Sequence, residues 1–176
     1  MKAYKIHKRL LDNAVPYVTA LCQEKNDYIS EGDIVDVLKE SFKNNRFRNM
    51  TAIGEREGRK DYVIYENDIP KNIYEVKTYF KPNERFDYAT AISEIKKDLL
   101  KLAERKNNAI GYFLFVCSKK MFKQCGEVSN LEFITDLANQ GKKYTIPVLT
   151  KEVTVITKLR IESDSFYIMS FSVEQL

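Results

Sequence analysis

The chain of 176 residues lacks the features of membrane-embedded and disulfide-stabilised proteins. No segment approaches the roughly 18 uninterrupted apolar residues of a transmembrane helix, which excludes that class. The first residues, MKAYKIHKRLLDNAV, are charged and have no apolar core with a small-residue cleavage site, so we expect no signal peptide. The three cysteines, Cys22, Cys117 and Cys125, stand singly without a CxxC pair. Their pattern predicts reduced thiols and a cytoplasmic setting.

Internal repeats, low-complexity tracts and linkers are also missing, which predicts one domain over residues 1–176. Its 44% hydrophobic and 31% charged residues are ordinary for a globular protein, and its length is sufficient for a hydrophobic core. His7 is the only histidine. A surface position is the expectation for it, and a general base is the alternative. Pro16 is expected to end or bend the first helix near Val15.

Neither sign of charge is in large excess. There are 29 basic and 25 acidic residues, and the net charge of +4 is compatible with a polyanionic partner without requiring one. The distribution is more informative than the total. One helical stretch concentrates the basic residues Lys96, Lys97, Lys101, Arg105 and Lys106.

Two carboxylates and a lysine stand on two successive predicted strands. Asp61 opens the apolar run DYVIY, and the breakers of ENDIPKN, residues 66–72, predict a turn. In the following IYEVKTYF, alternation places Glu75, Lys77 and Tyr79 on one face and Tyr74 on the other. A hairpin would bring Asp61 beside Glu75 and Lys77. Paired carboxylates suit Mg²⁺, and an adjacent ammonium can orient or deprotonate a water, which together favour metal-assisted phosphodiester hydrolysis.

These residues resemble the motif of the PD-(D/E)xK nucleases, the restriction-endonuclease-like superfamily. The chain has Lys60 where the family's name has proline, and members often lack that proline. The resemblance implies an α/β fold with an αβββαβ core and a mixed central sheet flanked by helices. The residue patterns outside this core predict extra N-terminal helices and C-terminal strands. We predict this core over 30–118, between an N-terminal helical segment, 1–29, and an extension, 119–176, that includes a short helix over 131–139.

The predicted core elements follow the family's order. They are a helix over 31–44, strands over 49–55, 61–65 and 73–79, a helix over 88–106 and a strand over 110–117. The nearly continuous apolar run of 109–118 predicts a central strand that is buried on both faces. The strand-like segments after residue 141 either extend the sheet or form a small second one.

The resemblance also implies the roles of the site residues. Asp61 and Glu75 would bind Mg²⁺, with Mn²⁺ as a substitute, together with the backbone carbonyl of Val76, and Lys77 would orient the attacking water. The first helix of such nucleases often supplies a further acidic residue. Glu31 fits this place best, and its competitors are Asp33, Asp36 and Glu40.

The predicted activity is therefore Mg²⁺-dependent endonucleolytic hydrolysis of DNA. The alternative is a catalytically inactive module of the same fold that binds nucleic acid or assembles with other proteins. Basic residues near the site could contact phosphates, or they could be solvated surface residues. They are Arg56, Arg59, Lys60, Lys96, Lys97 and Lys101. Cleavage of both strands would require a homodimer, whereas a monomer would nick or repair one strand.

Overall fold

The computed structural model describes residues 3–25, 28–44, 47, 49–54, 62–80, 87–126, 132–135 and 141–176. The helices are α1 (Ala3–Lys25), α2 (Glu31–Asn44), α3 (Tyr88–Ala103), α4 (Lys119–Gly126) and α5 (Glu132–Thr135). The strands are β1 (Met50–Gly54), β2 (Tyr62–Glu66), β3 (Ile69–Tyr79), β4 (Ile110–Ser118), β5 (Lys143–Val148), β6 (Lys151–Glu162) and β7 (Phe166–Val173).

All of these strands form one sheet in the order β1-β2-β3-β4-β7-β6-β5. Strands β3 and β4 are parallel, and the other neighbours are antiparallel. The fold is therefore α/β with a mixed sheet, as predicted. From α2 to β4 the order of elements is helix, three strands, helix, strand. The three last strands extend this same sheet, and β4 at its centre is buried almost throughout, which confirms the prediction for 109–118.

Helices cover both faces of the sheet. One face packs on α1 and α2 through side chains such as Leu10, Leu38 and Tyr74. The other packs on α3 through Leu99 and Phe113, among others. We call these the α1–α2 face and the α3 face. The predicted alternation along β3 is confirmed, because Tyr74 lies in the first core and Tyr79 packs against the second.

The turn between β2 and β3 is tighter than predicted. Only Asn67 and Asp68 form it, both with positive φ (49° and 62°), the conformation of a two-residue hairpin turn. Strand β3 therefore begins at Ile69, and the prediction of a turn over 66–72 was wrong in its length. Pro70 misled it. Proline is tolerated there because the register shifts beside it, at a bulge.

The sequence predicted that Pro16 ends or bends the helix. Helix α1 continues through Pro16, so the prediction of an end was wrong. A proline inside a helix costs about 3 kcal/mol. Burial of the apolar stripe offsets this cost, since each buried aliphatic side chain contributes about 1.5–3 kcal/mol. Leu10, Leu11 and Ala14 precede the proline on this stripe, and Val18 follows it.

The prediction of a surface position for His7 was also wrong, because its side chain is fully buried on the α1–α2 face. Its Nε2 lies 2.8 Å from Ser170 Oγ, its Nδ1 lies 3.3 Å from the Tyr74 hydroxyl, and its ring stacks on Tyr112 with the centroids 3.8 Å apart. Burial, and to a smaller extent the charge of Lys158, lowers the pKa of His7 to about 3. His7 is thus a neutral core residue that joins α1 to the sheet.

Within the described ranges, no helix has both the length and the apolar character that a membrane span needs.

Acid should destabilise the protein through His7. The folded-state pKa lies below the unfolded value of about 6.5, so the unfolded chain binds the extra proton. Stability that is present above pH 6.5 should therefore be lost as the pH falls towards 3, with a slope of up to about 1.4 kcal/mol per pH unit. Urea unfolding between pH 7 and 5 should show that the free energy of unfolding depends less steeply on pH in His7→Gln than in the wild type. The same slope in both proteins would contradict this assignment.

Candidate active site

Glu75 and Lys77 lie on β3 with their side chains on the α3 face, where only 4% of Glu75 and 8% of Lys77 is exposed. Their positions follow from the strand period of two, since Val76 between them lies in the opposite core. Charged groups at this depth are costly unless opposite charges compensate them. The surroundings of both residues supply that compensation.

Three carboxylates surround the ammonium of Lys77. Its Nζ lies 3.1 Å from Asp98 Oδ2, 3.5 Å from Glu31 Oε1 and 3.7 Å from Glu94 Oε2. Beside it, Lys101 Nζ lies 2.6 Å from Glu75 Oε1. Together these residues form what we call the charged cluster. Its members are Glu31, Glu75, Lys77, Glu94, Asp98 and Lys101.

Helix α3 supplies half of the charged cluster from one face. Glu94, Asp98 and Lys101 are spaced four and three residues apart, which places them one above another on a helix. Asp87 caps this helix by accepting a hydrogen bond from the Ala89 N–H at 3.0 Å. The acidic residues thus lie beside the buried stripe of α3, where they can reach β3.

The start of α2 places Glu31 at Lys77. Ser30 and Asp33 form the reciprocal cap, with Ser30 N–H donating to Asp33 Oδ2 at 2.8 Å and Asp33 N–H donating to Ser30 Oγ at 3.2 Å. Asp33 is thereby engaged at the cap. The other two competitors, Asp36 and Glu40, pair with lysines on the exposed side of the same helix. The structure therefore brings Glu31, and none of these competitors, to Lys77.

The electrostatics of the site keep Lys77 charged. Burial by itself would lower the pKa of Lys77, but the carboxylates of Asp98, Glu31 and Glu94 outweigh burial and raise the pKa above the ordinary value for lysine. Burial raises the pKa of Asp98, and the ammonium of Lys77 offsets only part of that increase. Lys77 is therefore an ammonium ion at neutral pH. It can orient a water or stabilise negative charge, but it is poorly suited to accept a proton.

Other predicted site residues fall into two groups. Asp61, and the predicted phosphate-binding residues Arg56, Arg59 and Lys60, lie outside the described residues. Lys96 and Lys97 both lie on α3, where Lys96 is half-buried and Lys97 is exposed.

The register of β2 and β3 bears on Asp61. Tyr62, which follows Asp61 in the sequence, pairs with Tyr74, which precedes Glu75. The described part of the hairpin thus ends with a pair of residues that adjoin Asp61 and Glu75 in the sequence.

The charged cluster presents carboxylate oxygens that are paired with ammonium groups. It contains four carboxylates and two ammonium groups, and the carboxylates already hold those ammoniums at 2.6–3.7 Å. Carboxylate oxygens are the ligands that Mg²⁺ prefers. Among the described residues, no three acidic, histidine or cysteine side chains are grouped as a ready metal site. A metal ion would thus need Glu75 together with a ligand from outside the described residues.

Glu94 and Asp98 were not among the site residues that the sequence predicted. Their spacing of four residues, continued by Lys101 three residues on, carried the signal. A charged row directly beside the buried stripe of a helix, opposite two charges on a buried strand, predicts ion pairing across the interface.

Comparison of the chain with protein-family models, with curated proteins and with solved structures gave no match.

Replacing Lys77 should destabilise the protein. Lys77→Met removes the cation from three carboxylates, of which Glu31 and Asp98 are largely buried, and the loss of one partner of a buried pair costs about 3–5 kcal/mol. Urea unfolding measures the change in the free energy of unfolding.

A matched control is Lys43→Met, which breaks an exposed ion pair with Glu40 and should cost no more than about 1 kcal/mol. An equal decrease in the free energy of unfolding in the two variants would show that the charged cluster is not a buried network.

Proposed function

We propose that this chain is a Mg²⁺-dependent endonuclease that hydrolyses phosphodiester bonds of DNA. One observation carries the proposal. Glu75 and Lys77 of one strand are buried in a cluster that also contains Glu31 from the first turn of α2. The element order from α2 to β4 and the register of Tyr62 with Tyr74 support the same interpretation. These features match those implied by the resemblance to the PD-(D/E)xK nucleases.

Three groups would hold the ion: the carboxylates of Asp61 and Glu75 and the backbone carbonyl of Val76. Glu31 would act through a water or on a second ion. A bound Mg²⁺ supplies Lewis-acid activation of water and of the scissile phosphate. Clustered carboxylates raise one another's pKa unless a cation compensates them, so the excess of acidic groups in the charged cluster favours cation binding.

Lys77 would do the remaining chemistry as an ammonium ion. Its raised pKa keeps the proton on Nζ, from which it can donate a hydrogen bond to the attacking water or to a phosphate oxygen. Asp98 and Glu31 hold this ammonium in place. The negative charge that develops on the phosphate in the transition state is stabilised by such a preorganised donor.

Substrate binding is proposed to use basic residues near the site. Lys96 and Lys97 on α3 would contribute salt-sensitive contacts to phosphates, as would Arg56, Arg59 and Lys60. Duplex cleavage would require a homodimer with two sites, and a monomer would cut one strand at a time. A cytoplasmic location is part of the proposal.

Cleavage assays test the proposal directly. Purified protein should cut DNA in Mg²⁺ or Mn²⁺ and not in EDTA, in a panel of single-stranded, duplex and branched DNA with RNA for comparison. Asp61→Ala, Glu75→Gln and Lys77→Met should each lower the rate at least about a hundredfold, because each removes a group that acts on the reacting phosphate or its water. Circular dichroism and the unfolding midpoint check that each variant is folded.

Glu174→Gln is the matched control, since it removes a carboxylate that pairs with Lys143 at the surface, and it should cleave like the wild type. Equal cleavage by the wild type and all three site variants would assign the activity to a contaminant or to another site. Binding of DNA without cleavage in any divalent metal would overturn the proposal of nuclease activity and would support the inactive binding module instead.

A further inference from the structure

A cavity of about 480 Å³ lies on the α1–α2 face of the sheet, on the opposite side from the charged cluster. Its walls come from the first turn of α1, from strands β4, β6 and β7 and from the segment directly before β5. The lining includes Tyr4, Ile110, Tyr112, Lys158 and Ser172. A cavity of this volume is large enough for a small organic molecule.

A β-bulge in β6 turns Lys158 towards this cavity. Val155 packs in the core of the α3 face and Leu159 in the core of the α1–α2 face, although they are four residues apart. A regular strand would place both on one face, because its side chains alternate with a period of two. The register shift between Thr157 and Leu159 makes Lys158 the extra residue and accounts for the change of face. Bulges re-aim side chains in this way.

Backbone contacts hold the bulge, and His7 shows where the ammonium of Lys158 lies. Gly141 N–H donates to Thr157 O at 2.8 Å, and Thr157 N–H donates to Lys142 O at 3.0 Å. The pKa of His7 is lowered by burial and, next, by the charge of Lys158. Since His7 is buried on the α1–α2 face, the half-buried Lys158 carries its charge on that face.

Two hydroxyl groups accompany this ammonium in the lining. Tyr112 and Ser172 are paired across β4 and β7, and only 1% and 7% of them is exposed. Burial, and to a smaller extent Tyr4, raises the pKa of Tyr112, so its hydroxyl keeps the proton and can donate it in a hydrogen bond. Within the described part of the chain, neither hydroxyl is hydrogen-bonded and no carboxylate pairs with Lys158. A cation with neighbouring hydroxyl donors suits a carboxylate or phosphate group.

The remaining wall of the cavity is apolar. Tyr4 is 40% exposed, and its ring centroid lies 6.4 Å from that of His7. Ile110, at the start of β4, is half-buried. An apolar wall with a few polar groups is typical of small-molecule sites, and an exposed tyrosine ring is a surface on which another ring can pack.

We propose that this cavity binds a small organic anion in which a carboxylate or phosphate group is attached to an aromatic ring. Lys158 and the hydroxyls of Tyr112 and Ser172 bind the anionic group, and the ring packs on Tyr4 and Ile110. The site is independent of the proposed nuclease activity, because it shares no residue with the charged cluster and lies on the other face of the sheet.

Titration of the ¹⁵N-labelled protein, followed by ¹H–¹⁵N correlation spectra, tests the site. Phenyl phosphate or benzoate should bind with a dissociation constant of about 1 mM or below, with saturable shifts at the amides of Tyr112, Lys158 and Ser172. The tighter of the two probes identifies the anionic group. Benzyl alcohol lacks the charge and inorganic phosphate lacks the ring, so each should bind at least about tenfold more weakly.

Variants of Lys158 test its role as the anion-binding group. Lys158→Met should weaken binding of phenyl phosphate at least about tenfold, and Lys158→Arg, which keeps the charge, should stay within about threefold of the wild type. Lys151→Met is the matched control, since it removes a lysine from the same strand that pairs with Glu104 at the surface, and it should bind like the wild type. The dispersion of the same spectra shows whether each variant is folded.

Three results would overturn the proposal. One is the absence of saturable shifts at the cavity with both phenyl phosphate and benzoate. Another is equal affinity of the wild type and a folded Lys158→Met for phenyl phosphate. The third is equal affinity of the wild type for phenyl phosphate and inorganic phosphate, because the ring would then contribute nothing. Shifts confined to Lys96 and Lys97 on α3 would count as the first result, since they would reflect attraction of the anion to surface lysines.

Discussion

The buried ammonium of Lys77 is the interaction on which the rest of the site depends. A strand position with 8% exposure can hold a charge only if opposite charges approach it, and Asp98, Glu31 and Glu94 do so from two helices. The same contacts tie the first turn of α2 and the middle of α3 to strand β3. Electrostatic compensation thus couples the architecture of the site to the packing of both helices.

Much of the fold could be predicted because its signals are local. The Ser30–Asp33 cap, the Asp87 cap and the apolar run of β4 each depend on a few neighbouring residues, and β4 is buried as predicted. The errors have physical causes. Helix α1 passes through Pro16 because its buried stripe continues beyond the proline. His7 precedes Leu10 by three residues and Leu11 by four, a helical spacing that places it on the same buried stripe. The spacing therefore also predicts the burial of His7.

The site was harder to predict because its contacts are not local. The tripeptide from Glu75 to Lys77 indicates which side chains share a face, but no periodicity shows that Lys77 meets Asp98 while Glu75 meets Lys101. Those partners are fixed by how α3 lies across the sheet. Sequence could place charges on a face of α3, and only tertiary packing decides that this face meets the strand.

The central claim is that Glu75 serves as a ligand to a divalent metal beside Lys77. The most direct measurement is anomalous diffraction from a crystal soaked in Mn²⁺. If Glu75 is a metal ligand, we expect a single strong peak at about 2 Å from one of its carboxylate oxygens, with Asp61 as a second ligand and the Lys77 ammonium in place. A crystal soaked in saturating Mn²⁺ that shows no anomalous peak at Glu75, or that binds manganese only at surface carboxylates, would contradict the assignment of Glu75 as a metal ligand.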